Sequence, residues 1–186
     1  LFVGQLGENA LSAVGAGNQI ISLVLVVFFS FSSGLIILAS QYKGAKKSKE
    51  FELLFETAIN SMVIIGFILT VVMIIFSESI LKLINLKDEA LLLGKSYFSI
   101  VSLSNIFVLV SSGLSSIFIS TKNNKPMLFS AMVSMSTNIV LDYILIITFN
   151  FGIKGAAIAT AISRFVEFGI LLIFIIKFLK KEKIIF

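Results

Sequence analysis

Five apolar windows account for most of the chain: Val14 to Ala39, Thr57 to Phe76, Tyr97 to Ser120, Pro126 to Phe149 and Gly155 to Ile176. At about 1.5 Å per residue each can cross a hydrocarbon layer of about 30 Å as a helix, the longer ones with excess for tilt. Composition agrees, with 58% hydrophobic and 13% charged residues where a soluble domain carries about 25% charged. The expectation is an all-α, polytopic transmembrane helix bundle, a single domain over residues 1–186 whose principal partner is the lipid bilayer. No Pro-rich, acidic or low-complexity linker divides it. The single proline, Pro126, sits where a helix can begin without losing a useful N–H, so it marks a boundary and not a kink.

The chain has neither Cys nor His. That removes disulfides, thiolate and imidazole metal sites, and every nucleophile that depends on a histidine base. No cofactor is implied, and the chain reads as no enzyme. The net charge of +5 does not point to nucleic acid once the bases are placed. If the spans alternate, Lys43 to Lys49, Lys122 with Lys125, and Lys177 to Lys183 contribute ten lysines on one side, against Lys82, Lys87, Lys95 and Lys154 on the other. The positive-inside rule then makes the lysine-rich side cytoplasmic, with residue 1 near the outer face and a cytoplasmic tail over residues 177–186. A multi-pass protein of a bacterial or archaeal inner membrane is expected. Leu1-Phe2-Val3, followed by Gly4 and Gly7, reads as the last turn of a preceding helix, so that a first span is truncated and the parent has at least six.

Polar groups inside spans carry the functional signal, because an unpaired charge at mid-bilayer costs several kcal/mol. Asp142, Arg164 and Glu167 are such groups. Asn138 lies one turn before Asp142 on the same helical face. The short connection after Phe149 returns the next helix beside this one, which brings Thr160 to a similar depth. Hard oxygens of this kind suit Na⁺, and the aspartate alone could carry a proton. A packing role competes for some of them: Asn138 as an interhelical hydrogen-bonding residue, and Gly152, Ala156 and Thr160 as a small-residue stripe. Arg164 and Glu167, spaced i,i+3, are expected to neutralise each other as an intramembrane ion pair.

Several motifs together resemble one family. Phe2-Val3-Gly4-Gln5-Leu6-Gly7, Ala10-Leu11-Ser12-Ala13-Val14-Gly15 and Ala39-Ser40-Gln41 with Gly44-Ala45 resemble the opening of a multidrug and toxic compound extrusion (MATE) transporter. Tyr97, Pro126-Met127, Asn138 with Asp142, Gly152 to Thr160 and Ser163-Arg164 are similar to the rest of that family's N-terminal six-helix lobe, in order and spacing. The resemblance implies a Na⁺- or H⁺-coupled antiporter that exports organic cations by alternating access between two lobes, the second of which is outside this chain. It implies a cation site formed by Asn138, Asp142, the Ala156 carbonyl and Thr160, with Tyr97 and Gln41 lining the cavity. The family's first-helix aspartate would lie just before Leu1, which leaves the site in this chain one carboxylate short. Two other readings stand beside it: a lipid-linked saccharide flippase of the same superfamily, expected to carry more cationic cavity residues than Arg164, and a small homo-oligomeric channel or structural membrane subunit that needs no coupling carboxylate.

Overall fold

The computed structural model describes residues 2–182; Leu1 and the last four residues, Lys183 among them, lie outside the described residues. The order is a 3-10 helix (Phe2–Leu6), α1 (Glu8–Gly44), α2 (Ser48–Ile75), α3 (Ser77–Leu83), α4 (Asp88–Ser102), α5 (Asn105–Ser120), α6 (Lys125–Asp142), a π-helical turn (Tyr143–Thr148) and α7 (Gly152–Glu182). No strand occurs among the described residues. The bundle is all-α and transmembrane in character. Four helices are long and apolar enough to cross a membrane, α6 counting with its π-turn, and α4 with α5 makes a fifth span bent by 41°.

The helices pack through narrow stripes that mix small and bulky apolar residues. On α1, Ala10, Ala13, Gly17, Ile21, Leu25, Ser32, Leu35 and Ala39 are buried at three- and four-residue steps, while Leu23, Val26, Val27 and Phe31 on other faces are exposed. Such an outward apolar surface would aggregate in water and is the normal solvent-facing surface in lipid. α5 is central, packing against α1, α2, α6 and α7, and α6 lies along α7. One apolar core gathers Ala13, Ile21, Phe98, Leu109, Ile153 and Ala157; the other gathers Phe55, Met62, Phe118 and Leu171.

The third apolar window is not one straight helix. The span begins earlier than the window, at Asp88, and breaks at Leu103–Ser104. Polar side chains meet the carbonyls that the break releases. Ser104 Oγ donates to Val101 O at 2.6 Å, and Thr70 Oγ1 of α2 donates to Ser102 O at 3.2 Å. In lipid, a broken helix survives only where such partners are supplied. The polar stretch read as a connection from Ser77 to Ser96 also holds structure, namely α3 and the first turns of α4.

Lys43, Thr121, Pro126 and Lys177 line one cavity, so the lysine-rich connections and the far part of α7 share one end of the bundle. At the other end Asn9 donates to Glu89 at 2.7 Å, and Glu78 of α3 accepts from Lys82 at 2.7 Å and Lys95 at 2.9 Å. The stretch read as a tail from Lys177 continues α7 as helix to Glu182.

Candidate cation site

The α6–α7 hairpin sets the geometry. Ser134 Oγ donates to Ser163 O at 2.8 Å, and nearer the turn the Cα of Gly155 lies so close to Leu145 that a Cβ there would sit 3.1 Å from its backbone. Between these anchors the antiparallel helices advance in step, so Asn138 comes level with Thr160 and Asp142 level with Ala156. The turn itself uses left-handed backbone at Asn150 (φ 53°) and Gly152 (φ 56°), conformations that Asn and Gly adopt readily.

Asp142 closes α6 where the helix widens into the π-turn, a distortion often found at functional sites. Its Oδ1 is buried and accepts no hydrogen bond. On α7, Thr160 Oγ1 donates to Ala156 O at 2.9 Å, so towards other groups that hydroxyl acts as an acceptor. Tyr97 of α4, only 3% exposed, donates its phenolic proton to Asn18 Oδ1 of α1 at 3.0 Å, with Thr160 and Asp142 as neighbours. Gly17 permits this packing, since a Cβ there would sit 3.1 Å from the Tyr97 ring. The cluster thus gathers side chains from α1, α4, α6 and α7.

Two sequence readings meet a different arrangement. Gln41 stands apart: it is exposed on α1, some 23 residues from Asn18 along the helix, or roughly 35 Å at 1.5 Å per residue. Arg164 and Glu167 act on each other electrostatically, but the Arg164 guanidinium makes its hydrogen bonds elsewhere. Its Nη1 donates to Ser104 Oγ at 3.1 Å and Asn105 Oδ1 at 3.0 Å, and no ion pair joins the two among the described residues. The spacing rule considers one helix, whereas the α4–α5 break offers two oxygens from its neighbour. Asn18, Ser104 and Asn105 were not singled out in the sequence; their signal is an amide or a polar pair inside an apolar window.

A family profile described as MatE matches residues 1–144. The chain belongs to the MatE family. The "Multidrug export protein MepA" of Staphylococcus saprophyticus is 30% identical over 185 residues, 99% of this chain and 40% of that protein. The "Probable multidrug resistance protein NorM" of Thermotoga maritima is 29% identical over 181 residues, 95% of this chain and 39% of that one. A structure titled "Inward-facing conformation of a multidrug resistance MATE family transporter of the MOP superfamily" superposes with a TM-score of 0.88 at 22% identity, over 93% of this chain and 39% of that chain. The fold is therefore that of one MATE lobe, and the chain spans about 40% of the length of the curated relatives it matches.

The donor set of the MatE chain fits a small hard cation. It offers one carboxylate with an unpartnered buried oxygen, a hydroxyl that donates to the Ala156 carbonyl and, one turn from the carboxylate, an amide. No group of three or more Asp, Glu, His or Cys that could hold a metal ion occurs among the described residues.

Proposed function

We propose that this chain is the cation-coupling lobe of a membrane antiporter that exports organic cations across a bacterial or archaeal cell membrane by alternating access. The lysine-rich end faces the cytoplasm, and a second six-helix lobe completes the pathway. The observation that carries the reading is the buried, unpartnered Oδ1 of Asp142 at the α6–π junction, on a helix that lies along α7. The multidrug-export names of the relatives support the cargo class. A transporting role, and not a catalytic one, accords with both.

Asn138, Asp142, the Ala156 carbonyl and Thr160 would hold Na⁺, which supplies a positive charge that neutralises the carboxylate; protonation of Asp142 achieves the same neutralisation. The chain's own residues do the rest. Tyr97 links α4 to α1 through Asn18, so the packing around the site is shared among helices that can respond together. Neutralising one buried carboxylate shifts the balance between helix arrangements by as much as the ligand distinguishes them. Arg164 is held by Ser104 and Asn105 and is not presented to an anionic cargo.

The test is thermal unfolding of the purified chain in nonionic detergent, titrated with NaCl against KCl at constant ionic strength and repeated across pH, for the parent and for Asp142→Asn. Sodium binding to the folded state must raise the unfolding midpoint in step with its concentration over Kd. The expected result is a sodium- or pH-dependent gain that Asp142→Asn removes. A parent and an Asp142→Asn variant that respond identically to both would overturn the coupling role.

A further inference from the structure

The turn between α1 and α2 closes around a basic cavity. Gly44 ends α1 and Ser48 begins α2, and the backbone between them is held by its own hydrogen bonds. Ala45 N–H donates to Gln41 O at 2.9 Å, Lys46 N–H to Lys43 O at 3.2 Å and Lys47 N–H to Tyr42 O at 2.9 Å. Lys46 takes left-handed backbone (φ 57°) to make the turn, a conformation more usual for Gly or Asn. So tight a turn brings Lys43, Lys46 and Lys47 to one cavity of about 270 Å³, with Phe51 and Glu52 in the rest of its lining. Lys43 Nζ stands 5.7 Å from the centroid of the Phe51 ring, a contact that anchors its charge. Among the described residues Lys46 and Lys47 enter no ion pair.

Three lysines against the one carboxylate of Glu52 leave the cavity with a surplus of positive charge. Glu50, in the first turn of α2, is exposed and does not line it. Membrane topology asks for lysines at this end of the bundle, but not for their convergence on one cavity. The volume falls below the about 300–1,000 Å³ of sites that enclose a drug-sized ligand, which leaves room for an anionic headgroup and not for a whole amphiphile. The protein beside it is apolar and open: Ile37 and Leu38 of α1 and Leu53 of α2 are exposed, and at about 1.5 Å per residue they lie within roughly 10 Å of Lys43 and Lys47 along their helices. A phosphate seated among the lysines therefore has lipid-facing surface next to it for attached acyl chains, which a free anion does not need. Basic pockets at the ends of membrane helices hold anionic headgroups in this way.

We infer that the α1–α2 turn binds the phosphate headgroup of an anionic phospholipid, with Lys43, Lys46 and Lys47 as its counter-ions. The inference does not rest on the export reading. The probe is phosphatidylglycerol, added by mole fraction to nonionic micelles that hold the purified chain, with phosphatidylcholine and inorganic phosphate at matched ionic strength as comparisons. The readout is the thermal unfolding midpoint, which a ligand of the folded state raises to a degree set by its concentration over Kd. A saturating rise is expected with phosphatidylglycerol alone. Lys46→Gln combined with Lys47→Gln should move half-saturation to a roughly tenfold higher mole fraction. Lys87→Gln combined with Lys154→Gln, which removes the same charge from the opposite end of the bundle, should move it by less than about twofold. Glu52→Gln keeps every lysine and should lower half-saturation; it covers the case in which the Lys46→Gln/Lys47→Gln variant does not fold. Half-saturation unchanged in Lys46→Gln/Lys47→Gln, or in Glu52→Gln if the former is unfolded, overturns the site, and so does an equal loss in the two double variants. A rise reproduced by inorganic phosphate or by phosphatidylcholine overturns the anionic lipid as the ligand.

Discussion

Arg164 Nη1 of α7 donates to Asn105 Oδ1 of α5 across 3.0 Å, and Asn105 Nδ2 in turn donates to Met73 Sδ of α2 at 3.3 Å. One amide, 2% exposed, therefore joins three helices at the point where the bent span breaks.

Arg164→Met keeps most of the apolar stem and removes the donors, which leaves a buried amide oxygen without its partner. The expected loss is about 1–3 kcal/mol, read as unfolding free energy in mixed micelles. Because the penalty comes from the orphaned oxygen, Arg164→Met combined with Asn105→Leu should lose less than the two single losses added together. Simple additivity would show that the two groups do not interact.

Tyr97→Phe deletes the bond to Asn18 and the hydroxyl's approach to Thr160. Asn18 is exposed, so its oxygen is not stranded, and the expected loss is about 0.5–1.5 kcal/mol. Gly17→Val should do more harm, because a Cβ already sits 3.1 Å from the Tyr97 ring and the branched side chain drives α1 away from α4. Comparing the two unfolding free energies checks the order.

The α2–α5 crossing separates two glycines by what surrounds them. A Cβ on Gly66 would lie 3.2 Å from the Cα of Ile106, which is backbone, whereas one on Gly113 would meet the movable ends of Met62 and Ile59 at 2.6 and 2.7 Å. Gly66→Ala is expected to destabilise by about 1–3 kcal/mol, and Gly113→Ala by less despite the shorter distances, since side-chain ends can shift. The reverse order would mean that α2 moves off α5 easily.

Outside the membrane, Glu78 has its pKa lowered from an ordinary 4.5 to about 2, chiefly by the hydrogen bond from Lys82 and then that from Lys95. A carboxylate depressed in the folded state contributes stability above its unfolded value, and that contribution is lost as pH falls from about 4.5 towards 2. The group is solvent-exposed, so the effect is small and salt-sensitive. Thermal midpoints of the parent and of Glu78→Gln should differ at pH 6, converge near pH 2, and differ less in high salt.

The spans and the α6–α7 hairpin were legible because hydrophobic length and helical spacing are local properties. Asn138, Asp142, Ala156 and Thr160 lie on two helices joined by a short turn, so counting residues from that turn is enough to set their levels along the hairpin. Where another helix decides the outcome, counting fails. Arg164 finds Ser104 and Asn105 some sixty residues away, and the 41° bend depends on Thr70 of α2 as much as on the sequence of the bent span. Asn18 belongs to the same class, since nothing within α1 reveals that Tyr97 reaches it. Gln41, chosen by resemblance alone, had no local geometry to anchor it.

The bend between α4 and α5 is gripped from outside itself, by Thr70 on one side and Arg164 on the other, while Ser104 ties it from within. Straightening it would strip carbonyls and an amide of partners that hydrocarbon cannot replace. It is therefore a clamped elbow and not a loose joint: α7 is tied to α2 through the Asn105 amide of α5, so the bend cannot open without parting a link between those helices.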